Sequence, residues 1–379
     1  MKIRRSPHLL RPAVATAMAA LTYVTVPAHA DIYVGLAAPA SGREQKTGSA
    51  MHMAAEQAIA DLNAQGGVLG QRVALVTADD LCSDAGAIAA ANGFVEKSVK
   101  LVVGHPCARA ALAAAQIYGT AGLMFIATAT RHPALTDKRA GKTIFRLSGR
   151  DDEQAPTAAA WLLAQADTGP IAIVHDKTSY SRGLAAGVSA ALVGKGQPAP
   201  LALPITAGEN DYEAVIAKLK DAKPRALFFA GYPAEAGIIV SAVRSAGLTM
   251  PVLGSDSLAT QEFTAQRASR DQSMAVLARY RPASGDTPQS ERSAATRIAA
   301  TTLSPPALAS AQYTREAIQA WAAATISAAS ASADAVAPLL AAQPATPQTS
   351  AVLFNEKGDA RVASFYAVRW NGKNWVATN

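Results

Sequence analysis

Short apolar runs alternate with alanine-rich amphipathic stretches twice along this chain, and that alternation limits the possible folds more than any single motif. "IYVGLA" (32–37) reads as a strand. "SAMHMAAEQAIADLNAQGG" (49–67) spaces Met51, Ala55, Ala58, Ile59 and Leu62 for a helix, which Gly66-Gly67 stops. "VALVTADD", "KLVVGH" and "LMFIAT" follow as strands, separated by helices "AGAIAAANGFVEKS" and "ARAALAAAQIYG". This order predicts right-handed crossovers and a parallel sheet.

After Arg146-Leu147-Ser148 the pattern restarts with helix "DEQAPTAAAWLLAQA", strand "IAIVHD" and helix "YSRGLAAGVSAALVGKG". Strands "PLALPI", "ALFFAG" and "PVLGSD" come next, separated by helices "DYEAVIAKLKDA" and "AEAGIIVSAVRSAG". Two series predict an α/β protein of two doubly wound parallel-sheet lobes, and 379 residues suffice to give each its own core. Residues 282–350 are rich in Ala, Ser, Pro and Thr, a composition that fits disorder, yet "YTREAIQAWAAATISAA" keeps helical periodicity and reads as helix. The C-terminal "SAVLFNEKGDARVASFYAVRWNGKNWV" alternates polar and apolar residues around Lys357-Gly358 and Asn371-Gly372, as hairpins do.

The N-terminus sets the expected compartment. "MKIRRSPHLLR" is basic, "PAVATAMAALTYVTV" is apolar but too short to span a bilayer comfortably, and Ala28-His29-Ala30 ends it. That is the pattern of a secretory signal peptide cut after Ala30. Four of the thirty-five basic residues lie in it, leaving thirty-one against twenty-eight acids, so the mature charge is only +3. Nothing there favours nucleic-acid binding. No later segment approaches eighteen continuous apolar residues, so the mature chain is expected to be soluble and periplasmic.

Export changes the meaning of Cys82 and Cys107, the only cysteines. In an oxidising compartment the pair is most simply a disulfide, worth roughly 3–4 kcal/mol for a loop of this size. His105 beside Cys107 is a weak hint of a metal, while His52, His132 and His175 are scattered. Enzymatic motifs fail. "AGKT" (140–143) lacks the first glycine of a phosphate loop, because position 136 is Thr136. No G-x-S-x-G, H-E-x-x-H or G-x-G-x-x-G occurs, and no nucleophile, base and acid nominate themselves. The chain reads as a non-enzyme without a cofactor.

The mature start "DIYVGLAAPASG", then "AIADLNAQGGVLGQ", Cys82 and Cys107, "HPALTD", "VHDKTSYSRG", "GYPAEAG" and "FNEKGDA" resemble the type I periplasmic binding proteins. The nearest group is the branched-chain amino-acid (Leu/Ile/Val) receptors of ABC importers. The likeness covers 31–275 and 351–379; 282–350 matches poorly. It implies a Venus flytrap, with two lobes on a hinge of three crossovers and ligand in the cleft. The first lobe would take 31–148 and 280–350, the second 149–279 and 351–379.

By the same resemblance the ligand carboxylate meets the start of helix "ARAALAAA", where the family's serine is Ala108, so the amide remains and the hydroxyl is lost. Arg131 stands at the usual threonine, with Thr130 beside it, and the family's aromatic wall falls on Thr47. Arg109 and Arg131 are departures: either could grip a carboxylate bidentately, point to solvent or pair with a structural acid. Tyr180 and Tyr232 match the cleft tyrosines, against a reading of loop packing. Asp256 matches the glutamate that receives the ligand ammonium, against a reading as a cap; Ser255 could add a hydroxyl. The implied function is capture of a small amino acid, branched-chain or similarly apolar, by a monomer that delivers it to ABC permease membrane subunits. Alternatives are an aromatic acid or dicarboxylate as ligand, or an exported sensor.

Overall fold

A computed structural model describes residues 31–279, 305–342 and 354–378, apart from 43, 166–168, 210 and 362. The signal peptide expected over 1–30 lies outside the described residues, as do 280–304 and 343–353.

The first series runs β1 (Ile32–Ala37), α1 (Gln45–Ala64), β2 (Val73–Ala78), α2 (Asp84–Glu96), β3 (Leu101–Gly104), α3 (Ala108–Thr120), β4 (Met124–Ala127), α4 (Ala134–Asp137) and β5 (Ile144–Arg146). Its five strands pair in parallel in the order β2-β1-β3-β4-β5. β3, β4 and β5 are buried along their whole length. That is why β3 and β4 read as unbroken apolar runs rather than alternating ones.

The second series runs α5 (Gln154–Ala164), β6 (Ile171–His175), α6 (Ser179–Val193), β7 (Leu201–Pro204), α7 (Glu213–Ala222), β8 (Ala226–Ala230), α8 (Pro233–Ser245), β9 (Val252–Gly254), α9 (Gln261–Thr264) and β10 (Met274–Ala278). The chain then supplies α10 (Pro305–Ala328), α11 (Ala333–Ala342), β11 (Tyr366–Trp370) and β12 (Trp375–Ala377). The second sheet has the order β12-β11-β10-β9-β8-β6-β7, parallel except at β10–β11 and β11–β12. The hairpin expected at the C-terminus thus becomes the antiparallel edge of this sheet.

Between the two sheets the chain changes sides more than once. α10 and α11 return to the first sheet, where Tyr313, Ile318, Trp321, Val336 and Leu340 are buried with Val34, Leu101 and Ile126. Phe354 joins the same core, and residues 354–360 bridge to β5 through Arg146 and Asp359. The chain therefore leaves the first sheet after 360, not at 351 as the resemblance implies. Phe365 is already buried in the second core. Each buried Leu, Ile or Phe in these two cores contributes about 1.5–3 kcal/mol of transfer free energy.

Cys82 and Cys107 form a disulfide, with Cα atoms 5.2 Å apart, that ties the start of α2 to the start of α3. Replacing both by serine should lower stability by about 3 kcal/mol, read from urea unfolding of the oxidised parent and the variant. A loss below ~1 kcal/mol would show that the local packing sets this corner without the cross-link.

Candidate functional site

Parallel sheets of this type open a crevice where the strand order reverses, beyond the carboxyl ends of the strands on either side. In the first sheet the reversal lies between β1 and β3, flanked by α1, which carries Thr47, and by α3, which begins at Ala108. In the second it lies between β6 and β8, flanked by Tyr180 on α6 and Tyr232 at the cap of α8. The chain passes to the second series from the carboxyl end of β5 and leaves it again from the carboxyl end of β10, so the hinge lies at the same ends of both sheets.

The β3–α3 turn is held from behind. Gly104 has φ +134°, and a Cβ there would meet the Ala37 carbonyl oxygen at 2.1 Å, so no larger residue fits. His105 is fully buried, with Nδ1 2.9 Å from Asp80 Oδ2 and Nε2 2.9 Å from the Tyr118 hydroxyl. Both ring nitrogens are committed, so the hint of a metal at His105 is corrected: the ring braces the loop. Burial, then the nearby Asp80 charge, push the Tyr118 hydroxyl well above the usual range.

Cys107 caps α3 with its backbone only, its sulfur being in the disulfide. The Ala111 amide bonds back to the Cys107 carbonyl, and the first-turn amides of Ala108, Arg109 and Ala110 precede the intrahelical ladder. Such amides, with the partial positive charge of the helix start, suit an anion. Thr47 is buried and its hydroxyl donates to Glu44 Oε2 at 3.1 Å. Thr130 is 2% exposed, and its hydroxyl has no hydrogen-bond partner among the described residues.

Neither arginine is free to grip a carboxylate in the way the resemblance allows. The Arg109 side chain is 80% exposed and forms a two-pronged pair with Asp84, Nε to Oδ1 at 3.2 Å and Nη2 to Oδ2 at 2.9 Å. It belongs to the outer surface beside the disulfide, which corrects its assignment to the ligand. Arg131 is buried but spent on the hinge. Its Nε donates to Asp151 Oδ1 at 3.0 Å, Nη1 to the Ser148 carbonyl, and Nη2 to the carbonyls of Arg150 (3.2 Å) and Ser364 (2.9 Å). Its guanidinium also lies 4.5 Å from the Phe365 ring centroid. Ser148, Arg150, Ser364 and Phe365 thus gather around one guanidinium. Gly149 sits so close to Ser364 that an added Cβ would meet its Oγ at 2.6 Å. A series of apolar strands gives no warning of this use, because the acceptors are main-chain carbonyls brought in from distant sequence.

In the second series the rings of Tyr180 and Tyr232 lie 6.1 Å apart, and Tyr232 is 44% exposed. The Tyr180 hydroxyl donates to Asp256 Oδ1 at 2.5 Å, and Gln154 Nε2 donates to the same oxygen at 2.6 Å. Arg279 Nε, at the end of β10, donates to Asp256 Oδ2. Asp256 is therefore no helix cap, and it is not the open ammonium acceptor that the resemblance implies either. Ser255 is fully buried, and its hydroxyl is used on Gly231 and Ser257, which fixes the turn before Tyr232.

Arg279 is the residue that sequence reasoning misses. Its backbone carbonyl accepts the Tyr313 hydroxyl of α10 at 2.8 Å, its Nε holds Asp256, and its Nη1 is 4.0 Å from Asp151 on the first crossover. One residue thus touches both series and the hinge. The available signal is a charge placed directly after the apolar run "MAVLA". Burial raises the Asp256 carboxyl, but the Arg279 charge and the hydrogen bonds from Tyr180, Arg279 and Gln154 outweigh it, leaving it below the usual carboxylate range. Burial, then the Asp256 charge, push the Tyr180 hydroxyl well up, so it stays a donor.

A family model described as periplasmic binding protein matches residues 31–374. An amino acid binding protein of Pseudomonas aeruginosa is 33% identical over 250 residues, covering 66% of this chain and 67% of that one. A Leu/Ile/Val-binding protein of Escherichia coli is 36% identical over 240 residues, 63% of this chain and 65% of its own. The matched part thus spans about two-thirds of the length of these curated relatives. A solved structure of an ABC transporter substrate-binding protein from Desulfitobacterium hafniense in complex with Leu superposes with a TM-score of 0.67 at 21% identity, covering 92% of this chain and all of that one.

Proposed function

Because the chain belongs to the periplasmic binding protein family, we propose that it is the substrate-binding component of an ABC importer of the branched-chain amino-acid group. Its ligand would be leucine, isoleucine, valine or a small carboxylate of that size. The observation that carries this reading is the pair of strand-order reversals. One is flanked by the bare amides of α3, the other by Tyr180 and Tyr232, and both lie at the hinge ends of the sheets. The amides supply a place for a carboxylate, and the tyrosine rings supply a wall for an apolar body.

In this reading, among the described residues, the first lobe takes 31–148, 305–342 and 354–360 and the second 149–279 and 363–378, so the crossovers fall near 149, after 279 and after 360. Closure, not catalysis, is the working step. A solute that touches both lobes shifts the hinge equilibrium by its preference for the closed form. The closed form is what the permease subunits would receive. The basic and apolar leader over 1–30 supports export before this step.

Thermal unfolding of the mature protein with a panel of aliphatic and aromatic amino acids and their carboxylate analogues tests the reading. A true ligand at a hundred times its Kd adds about 2.7 kcal/mol of stability. A panel in which nothing raises the midpoint would overturn it.

A further inference from the structure

Asp256 and Arg279 set the charge the site can take. The Asp256 side chain is 6% exposed, and three donors already meet its two oxygens: Tyr180 and Gln154 on Oδ1, Arg279 on Oδ2. A buried carboxylate so satisfied gains little from a further cation, and an ammonium arriving there would stand against the guanidinium. Asp151, the acid that Arg279 also approaches, is already held by Arg131 at 3.0 Å. Arg131 and Arg279 balance Asp151 and Asp256, so the charges of these four side chains sum to zero. The uncapped start of α3 adds partial positive charge on top of that balance. The Arg279 side chain is 38% exposed, so N–H groups not engaged by Asp256 are open to a solute. Such a setting favours an anion over a zwitterion.

We propose that Arg279 is a specificity-determining residue that occupies the cation position of the cleft, so that the ligand is a small apolar monocarboxylate lacking an α-ammonium group. This rests on the solute-receptor reading and narrows its ligand. Arg279 is well placed for the role: Tyr313 fixes its backbone from one lobe while Asp256 fixes its side chain from the other. The apolar body remains the business of Tyr180 and Tyr232.

Calorimetry with matched pairs decides it: leucine against 4-methylpentanoate, and phenylalanine against 3-phenylpropanoate. The parent protein should bind one of the two acids at least tenfold more tightly than its amino-acid twin. Arg279→Met keeps an apolar stem but frees Asp256, and should shift that ratio at least tenfold toward the amino acid. Arg279→Lys keeps the cation and should preserve the acid preference. If the parent binds leucine or phenylalanine as tightly as the matching acid, the proposal fails while the receptor reading stands. If no member of either pair binds, the proposal fails, and the receptor reading is left to the wider thermal-unfolding panel. The parent's own ratio settles the matter even if a variant does not fold.

Discussion

An Arg131→Ala protein is expected to lose about 4–5 kcal/mol of stability, measured by urea unfolding followed through tryptophan fluorescence. The side chain donates to four partners, and three of them are main-chain carbonyls in the segments that join the lobes. Removing a partner from a buried polar group costs roughly 1–3 kcal/mol for each group left unmet, and Ser148 and Ser364 are both nearly inaccessible. The contact with the Phe365 ring is lost as well. Arg131→Lys should recover only part of the deficit, since one ammonium cannot span the set that a planar fork reaches. A deficit under ~1 kcal/mol for the alanine variant would mean that the main chain around Ser148 and Ser364 holds together without this guanidinium.

Arg146→Leu should cost about 4 kcal/mol by the same measurement. Arg146 is fully buried at the end of β5 and donates to Asp359, Thr136 and the His132 carbonyl. Its partner Asp359 also accepts from Arg150 Nη1 at 3.3 Å and from the Thr136 hydroxyl at 3.0 Å. Breaking a buried pair from one side usually costs about 3–5 kcal/mol, and here Asp359 would keep only the 3.3 Å contact with Arg150 as its charge partner among the described residues. Replacing both Arg146 and Asp359 by leucine should be milder than the single change, because the buried carboxylate leaves with its partner and Arg150 keeps Asp137 and Asp152. A double variant as unstable as the single one would assign the loss to the hydrogen bonds with Thr136 and His132 instead.

The fold is readable in the sequence because it is written in long-range averages. Alternating apolar runs and amphipathic helices repeat often enough that single misreadings do not matter, and β1 and α3 begin where the pattern says they should. β5 is not readable, since three residues show no period. β10 escapes for a related reason: with no turn signal isolating it from the loops around it, "MAVLA" has only its five apolar residues to offer.

The candidate site rests on a resemblance that says little about its charges. Thr47, Ala108, Tyr180, Tyr232 and Asp256 come forward through the family resemblance and not through any pattern of their own. The roles of Arg109, Arg131 and Arg279 depend on which acid or carbonyl lies within about 3 Å, and those partners come from 17 to 233 residues away. A guanidinium at the end of a flexible stem reaches several such partners from the same backbone position, so sequence alone cannot choose among them. The contacts of Arg131 with Ser148 and Ser364, and of Arg279 with Asp256, depend on coordinates.

The sulfur of Cys107 is bound up with Cys82, so the residue that begins α3 has no side chain left to offer its own helix. A serine or aspartate there would steady the helix by about 1 kcal/mol, a gain the receptor forgoes. In the proposed function, the oxygens of a bound carboxylate would make good that shortfall, and a local weakness of the scaffold would become affinity. Engineering a sturdier receptor at this spot would therefore be expected to blunt its grip, and the trade could be tuned one residue at a time.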